Sequence, residues 1–342
     1  MERNRQPITA NGMTAQAGVS FTRLSAARAS ADLEQDAIAG FAARPKSLPP
    51  KYFYDAEGSM LFEQICATPE YYPTRAEEGL LACYGRDIIG AVWPRVIVEL
   101  GSGSSQKTRR LFDACEALRL PVLYQPLDVC SEALRRAAGH LADCYPWLQI
   151  DALIGDYVAD LGMIPPVEGP RLFVFLGGTL GNFTDEEAMD FLSRLRAGMC
   201  PDDCLLVGFD RVKDAAVLDA AYNDAGGLTA AFNLNVLKVL NRHLDADFNR
   251  DDFRHRAFFS RHKRRIEMHL VARRAQQAHL RRIGLTVDFA AGESILTEIS
   301  RKFTRDDIDG LLGRAGFAAV RHDETQNGYY SLVLAAPASR SQ

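Results

Sequence analysis

No CxxC pair occurs among the seven cysteines, Cys66, Cys83, Cys115, Cys130, Cys144, Cys200 and Cys204, and their number is odd. Cys200 and Cys204 have neither a second pair nor a nearby histidine couple to complete a tetrahedral set, so no zinc site, and no metal, is expected. An apolar signal region is missing, as is any run long enough to cross a bilayer. A reduced, cytoplasmic chain without membrane attachment is therefore expected. A surplus of positive charge is missing too: 40 Lys and Arg stand against 44 Asp and Glu, for a net charge of -4. Nucleic acid needs a basic surface, so it is not an expected partner. The one concentrated basic patch, RHKRR at Arg261 to Arg265, reads as a solvated face. His255, His262 and His269 fall seven apart, but Arg265 to Val271 alternates like a strand, so they do not read as one helical face.

What is present is the make-up of an enzyme: 342 residues, 47% hydrophobic and 25% charged, enough for about two domains and a substantial core. The stretch RVIVELGSGSSQKT, Arg95 to Thr108, organises the rest. Its apolar run Val96-Ile97-Val98 passes through an acidic residue into a glycine-rich turn and then a helix-forming segment, the form of a buried parallel strand feeding a nucleotide-binding loop. Gly101 and Gly103 let the backbone turn tightly and approach a ligand. The third glycine of a dinucleotide fingerprint is absent, and Lys107 does not have the Walker spacing that cradles phosphates. Such a turn suits an adenosyl group without phosphates, such as S-adenosylmethionine; a tight turn with no ligand is the plainer alternative.

In chain order, residues 1–20 are polar and are expected to be a disordered leader. Ala26 to Ala43 is helical in pattern and is stopped by Pro45, Pro49 and Pro50. Lys51 to Glu77 is dense in aromatics, including Tyr52, Phe53, Tyr54, Phe62, Tyr71 and Tyr72, which suits either a pocket wall or a packed cap over the core. Strands are predicted at 96–100, 122–127, 148–153, 172–176 and 204–209, alternating with helices, and this builds a mostly parallel sheet with ligands at its carboxyl ends. Three strand ends are polar. Asp128 lies where an acidic side chain meets ribose hydroxyls. Asp156 is followed by Tyr157, which could cover an adenine face. Asn182 follows a glycine-rich turn, and its amide can both donate and accept, although a turn role is also open to it. Thr184 with Glu187 forms a capping box.

After Asp210 the alternation breaks, and 212–300 reads as an inserted second unit, with the helical run LDAAYNDAGGLTAAFNLNVLKVLNRHL and strand-like pieces at 265–271 and 285–289. In GESILTEIS, Glu298 and Ser300 lie two apart, on one face if extended. A glutamate in such an apolar run needs a partner, either a basic ligand group or an internal arginine. Thr304 caps a final helix, and 317–322 with 329–335 supply two strands to complete the sheet.

With SLPPKYFYDAEGS, PEYYPTRAE, VELGSGSSQKT, FLGGTLGN, AAYNDAGGLTAAFN and LTEISRKF in this order, the chain closely resembles the ergothioneine-pathway L-histidine Nα-methyltransferases, from about Leu33 to Ala335. The resemblance implies an α/β fold, a Rossmann-like S-adenosylmethionine methyltransferase sheet with an inserted α+β substrate domain. It places the methyltransferase domain at 77–210 and 303–338 and the substrate-binding domain at 21–76 and 211–302. It implies that Tyr54, Gly101, Lys107, Asp128, Asp156 and Tyr157 line the S-adenosylmethionine site. Asn182 and Tyr222 would hold the amino acid backbone, with Tyr71, Glu298 and Ser300 reading the imidazole and Met268 shaping the pocket. Tyr54 and Asn182 would be the catalytic pair, positioning a neutral amine for attack on the sulfonium methyl. Relatives that methylate tryptophan-like amino acids are expected to lack the acid at Glu298. Departures at Gly178 and Leu180 touch only the surroundings of the motifs. The implied product is Nα,Nα,Nα-trimethyl-L-histidine, made by a monomer acting on free L-histidine. A non-catalytic module binding S-adenosylmethionine or an amino acid would share the same turn.

Overall fold

The computed structural model describes residues 18–24 and 28–338. Its main sheet has eight strands in the order Val19–Arg23, Gln149–Ile154, Leu123–Asp128, Val96–Leu100, Arg171–Phe175, Cys204–Asp210, Tyr330–Pro337 and Phe317–Glu324. The first six run parallel and the last two antiparallel. Successive side chains of a strand point to opposite faces, and here both faces find apolar cover. Val98, Leu127, Phe173, Val207 and Phe209 pack beneath the helices Asp185–Ala197 and Arg305–Arg314. Ile97, Tyr124, Leu172, Val174 and Leu206 pack on the other face against Tyr72–Val92 and Arg109–Ala117. Burial on both faces is why these strands read as continuous apolar runs. The strand order reverses between Val96–Leu100 and Arg171–Phe175, and the carboxyl ends flanking that reversal form the crevice where such sheets bind ligands.

The covering helices start where the sequence says they should. Thr184 accepts the Glu187 amide at 3.2 Å while the Glu187 carboxylate accepts the Thr184 amide at 2.8 Å. Thr304 and Asp307 form the same reciprocal box.

Above the carboxyl ends lies a second sheet of four strands, Lys46–Ser47, Ser294–Arg301, Arg265–Ala272 and Phe253–Ser260. It packs with the helices Ala56–Cys66 and Leu228–Leu244 around a core that includes Phe53, Phe232, Phe253, Ile266 and Leu270. The chain leaves the main sheet at Asp210 and returns at Phe303, whose amide donates to the Asp210 carbonyl at 2.9 Å while Val212 donates back to Phe303 at 3.1 Å.

Several expectations change. The leader expected over 1–20 lies outside the described residues up to 17, but Val19 and Ser20 belong to an edge strand paired with Gln149–Ile154. That strand continues through Arg23, so the segment assigned to the substrate unit from residue 21 begins in the main sheet. Ser20 and Thr22 donate to Asp151 at 2.9 and 3.3 Å, which anchors a stretch too short and polar to be read as a strand. The boundary at 76/77 falls inside the helix Tyr72–Val92, because its apolar positions Leu80, Leu81, Ile88 and Ile89 continue directly onto the main sheet. The single helical run after Asp210 is two helices, Ala215–Ala221 and Leu228–Leu244. Asp224 receives the amides of Leu228 and Thr229 at 2.8 and 2.7 Å and starts the second one afresh.

Candidate active site

The strand Val96–Leu100 delivers its chain into a turn in which Gly101 and Gly103 both take positive φ, 70° and 51°. A Cβ at Gly101 would meet the Tyr157 ring at 3.2 Å, whereas nothing lies within 4 Å of one at Gly103, so the turn closes on one side and opens on the other. Asp128, the last residue of the neighbouring strand, accepts the Gly103 amide at 2.8 Å and the Cys130 amide at 2.9 Å. Burial pushes its carboxyl up in spite of those donors. The buried Ser102 hydroxyl has no partner among the described residues. An open cradle with an orphaned hydroxyl and an acidic strand end fits the adenosyl moiety of S-adenosylmethionine. Asp156 is turned inward on the Val158 amide at 2.8 Å and lies 3.6 Å from the Lys51 ammonium. Tyr157 meets Phe175 edge-on at 5.3 Å.

Lys107 pairs with Glu77, a wholly buried carboxylate that the sequence reading passed over. Glu77 also accepts the Gly177 amide and the Tyr330 hydroxyl, the latter at 2.7 Å. A Cβ at Gly208 would come within 2.0 Å of the Glu77 carboxylate, which explains a glycine in the middle of a buried strand.

On the other side of the crevice, Tyr54 ends the short turn Pro50–Phe53 and meets Phe62 and Phe232 edge-on at 5.5 and 5.4 Å. Tyr71 meets Tyr222 edge-on at 6.2 Å. Burial, reinforced by the Glu298 charge, raises the hydroxyls of Tyr54 and Tyr71 well above their ordinary value; Tyr222 is raised by burial as well, with the Lys302 charge opposing. Tyr54 lies within electrostatic reach of both Tyr157 and Glu298.

Glu298 and Ser300 share one face of the strand Ser294–Arg301, and Met268 lies directly opposite Glu298 in the antiparallel ladder. The glycine-rich turn bearing Asn182 packs onto the end of that strand: a Cβ at Gly181 would sit 2.9 Å from the Arg301 carbonyl and 3.6 Å from Ser300 Oγ. Tyr71, Tyr222 and Ser300 thus join in one cluster, with Tyr54 in electrostatic reach of Glu298, Met268 opposite Glu298 in the ladder, and the turn that bears Asn182 packed on the end of that strand. No arginine completes Glu298. Among the described residues its carboxylate, the Asn182 amide and the Tyr54 hydroxyl have no hydrogen-bond partner. Burial drives the Glu298 carboxyl up to about 7, with the positive charge of Lys302 opposing.

Beneath this face is a charged network not singled out from the sequence. Lys302 lies 2.8 Å from Asp210, which also accepts the Tyr72 hydroxyl at 2.7 Å and pairs with Lys213. Burial would neutralise the Asp210 carboxyl, but Lys302 and Lys213 hold it below its ordinary range. Burial pulls Lys213 down to about 8. A signal was available for Lys302, since Glu298, Ser300 and Lys302 recur at every second position; for Glu77 it was an acid on the apolar stripe of a helix.

A doubly wound sheet, a glycine turn suited to an adenosyl group and a substrate pocket built over its carboxyl ends define a small-molecule methyltransferase. The family described as "Histidine-specific methyltransferase, SAM-dependent" matches residues 33–337. The chain belongs to that family, and S-adenosylmethionine is its cofactor. It is 47% identical over 312 residues to a histidine N-alpha-methyltransferase of Mycolicibacterium smegmatis, covering 91% of this chain and 97% of the relative. A protein of the same name from Mycobacterium tuberculosis is 45% identical, with 89% and 94% covered. An L-tryptophan methyltransferase of Psilocybe serbica is 29% identical, with 79% and 83% covered. Among the described residues no helix is long and apolar enough to cross a membrane, and no group of three or more His, Cys, Asp or Glu could hold a metal.

Proposed function

We propose that the chain transfers three methyl groups in succession from S-adenosylmethionine to the α-amine of L-histidine, giving Nα,Nα,Nα-trimethyl-L-histidine (hercynine), the first step of ergothioneine biosynthesis. The observation that carries this reading is Glu298, a carboxylate without a protein partner, set beside Ser300 in an aromatic-walled space that also holds the unpartnered Asn182 amide. An imidazole N–H answers such a carboxylate; an apolar side chain would leave it buried and unpaired, at a cost of about 1–3 kcal/mol or more for a charge. The names of the two mycobacterial relatives support the choice of histidine and of its α-nitrogen.

S-adenosylmethionine supplies an electrophilic methyl on a sulfonium. In this reading Gly101, Lys107, Asp128, Asp156 and Tyr157 hold it, while Tyr222 and Asn182 hold the amino acid backbone, Tyr71, Glu298 and Ser300 read the ring, and Met268 sets the depth of the pocket. Transfer then rests chiefly on alignment, for which orientation can supply roughly 7–11 kcal/mol at best. The amine must be neutral to attack, so Asn182 directs its lone pair and Tyr54 passes the released proton toward water. The trimethylated product is a fixed cation, which the ring of Tyr54 tolerates through an attraction of about 0.5–2 kcal/mol. The protein works as a cytoplasmic monomer, with the main-sheet unit binding the cofactor and the insertion between Asp210 and Phe303 covering the substrate.

The test is mass spectrometry of purified protein incubated with S-adenosylmethionine and all the common amino acids together. A product built on histidine and ending at three methyls is expected. Methylation of a different amino acid would overturn the reading of the pocket, and a histidine product that stops at one methyl would overturn the trimethylation.

A further inference from the structure

Lys302 is fully buried, and its ammonium faces three oxygens: Asp210 Oδ2 at 2.8 Å, Ser300 Oγ at 2.8 Å and the Tyr222 hydroxyl at 3.3 Å. An ammonium has three protons and no lone pair, so all three oxygens must accept. The Tyr222 hydroxyl in turn donates to Ser300 Oγ at 2.9 Å. Ser300 Oγ therefore receives two protons, which fills both its lone pairs. Its own hydrogen is left over and has neither neighbour to donate to.

A serine hydroxyl ordinarily rotates to suit its partner; with Tyr222 donating to it, this one keeps its hydrogen for the pocket. Asp210 is itself fixed from the far side by Lys213 and by the Tyr72 hydroxyl, so the Lys302 ammonium has no second position to occupy. On the strand face that Ser300 shares with Glu298, a ligand ring then meets the Glu298 carboxylate as an acceptor and Ser300 as a donor, beside the Tyr71 hydroxyl, which can play either part.

We propose that Lys302 is a positioning residue that locks Ser300 as a hydrogen-bond donor to the substrate, so that the pocket selects the neutral imidazole ring over the imidazolium. The inference rests on histidine being the substrate and concerns which form of it is held. A neutral imidazole carries one N–H and one bare nitrogen, matching Glu298 and Ser300 in turn. An imidazolium carries two N–H groups, and its second would meet a serine oxygen with no free lone pair. A pyrrole or indole has no bare nitrogen and would leave the serine hydrogen unanswered.

The first experiment uses the unaltered protein with S-adenosylhomocysteine, which has no methyl to give, and histidine labelled with nitrogen-15 in the ring. At a pH near about 6.5, where free histidine is half protonated, the bound ring is expected to show one N–H nitrogen and one bare nitrogen. Two protonated nitrogens would overturn the proposal while leaving histidine as substrate; failure of histidine to bind would instead overturn the substrate assignment. The second experiment compares histidine with 3-(pyrrol-2-yl)alanine. In Lys302→Met, Ser300 is free to turn its hydrogen toward Tyr222, so the preference for histidine in kcat/KM is expected to fall about tenfold, and Lys302→Arg, which also only donates, is expected to keep it. Equal loss for both substrates in Lys302→Met would mean that Lys302 merely supports the fold, and would overturn the proposal. If that variant does not fold, the spectrum of the unaltered protein decides.

Discussion

Glu77 and Gly177, a hundred residues apart in the chain, meet beneath the cofactor crevice: both carboxylate oxygens lie 2.9 Å from the Gly177 amide. The same carboxylate holds Lys107 and Tyr330, so one buried acid ties the first glycine turn to the second. Replacing Glu77 with Ala strands a half-buried ammonium, a backbone N–H and the buried Tyr330 hydroxyl, and is expected to cost about 2–4 kcal/mol in urea unfolding. Gly208→Ala, which drives a methyl into the same carboxylate, is expected to destabilise by about 2–4 kcal/mol. Unfolding curves that superimpose on that of the parent would remove Glu77 from any structural role.

Gly101→Ala tests the cofactor turn. Its φ of 70° costs an alanine about 1–2 kcal/mol, and the new methyl would press on Tyr157. Calorimetric titration with S-adenosylhomocysteine is expected to show a dissociation constant raised about tenfold. Undiminished affinity would place the cofactor elsewhere.

Glu298 predicts a pH dependence with a definite sign. Its carboxyl is raised from 4.5 to about 7, so above that pH it is an acceptor for the ring N–H and below it is protonated. Histidine affinity is expected to fall as pH drops through about 7, and Glu298→Gln should lose that limb while keeping the one due to the ligand's own ring. Without ligand the linkage runs the other way. A carboxyl raised on folding contributes stability that is fully present below 4.5 and lost as pH rises through about 7. The glutamine variant should therefore gain in melting temperature relative to the parent across that window. A constant difference between the two would refute the half-buried, unpartnered state of Glu298.

The parallel strands were legible because burial on both faces leaves no room for polar residues between them, and their ends fall within a residue or so of the predicted ones. Asp128 was legible as a strand end because polarity resumes where a strand reaches the crevice, and the turn ending at Asn182 because glycines follow the strand Arg171–Phe175. Glu77 and Lys302 were not. Each is a charge inside an apolar pattern, and its meaning depends on partners brought from distant segments, Gly177 and Tyr330 for one and Asp210 for the other. The edge strand Val19–Arg23 escaped notice because it is half-exposed and is fastened by hydroxyls to Asp151 rather than by a core of its own.

The clasp between Asp210 and Phe303 brings the two ends of the insertion side by side. Topologically the intervening segment is a loop, and it can be exchanged for another without rethreading a single strand of the main sheet. Exchange at the two flanks of that interval would transplant Tyr222, Met268, Glu298 and Ser300 together while leaving the glycine turn at Gly101 untouched. Tyr54 and Tyr71 would stay behind on the recipient, so a new side-chain preference acquired in this way would have to be compatible with two inherited aromatic walls.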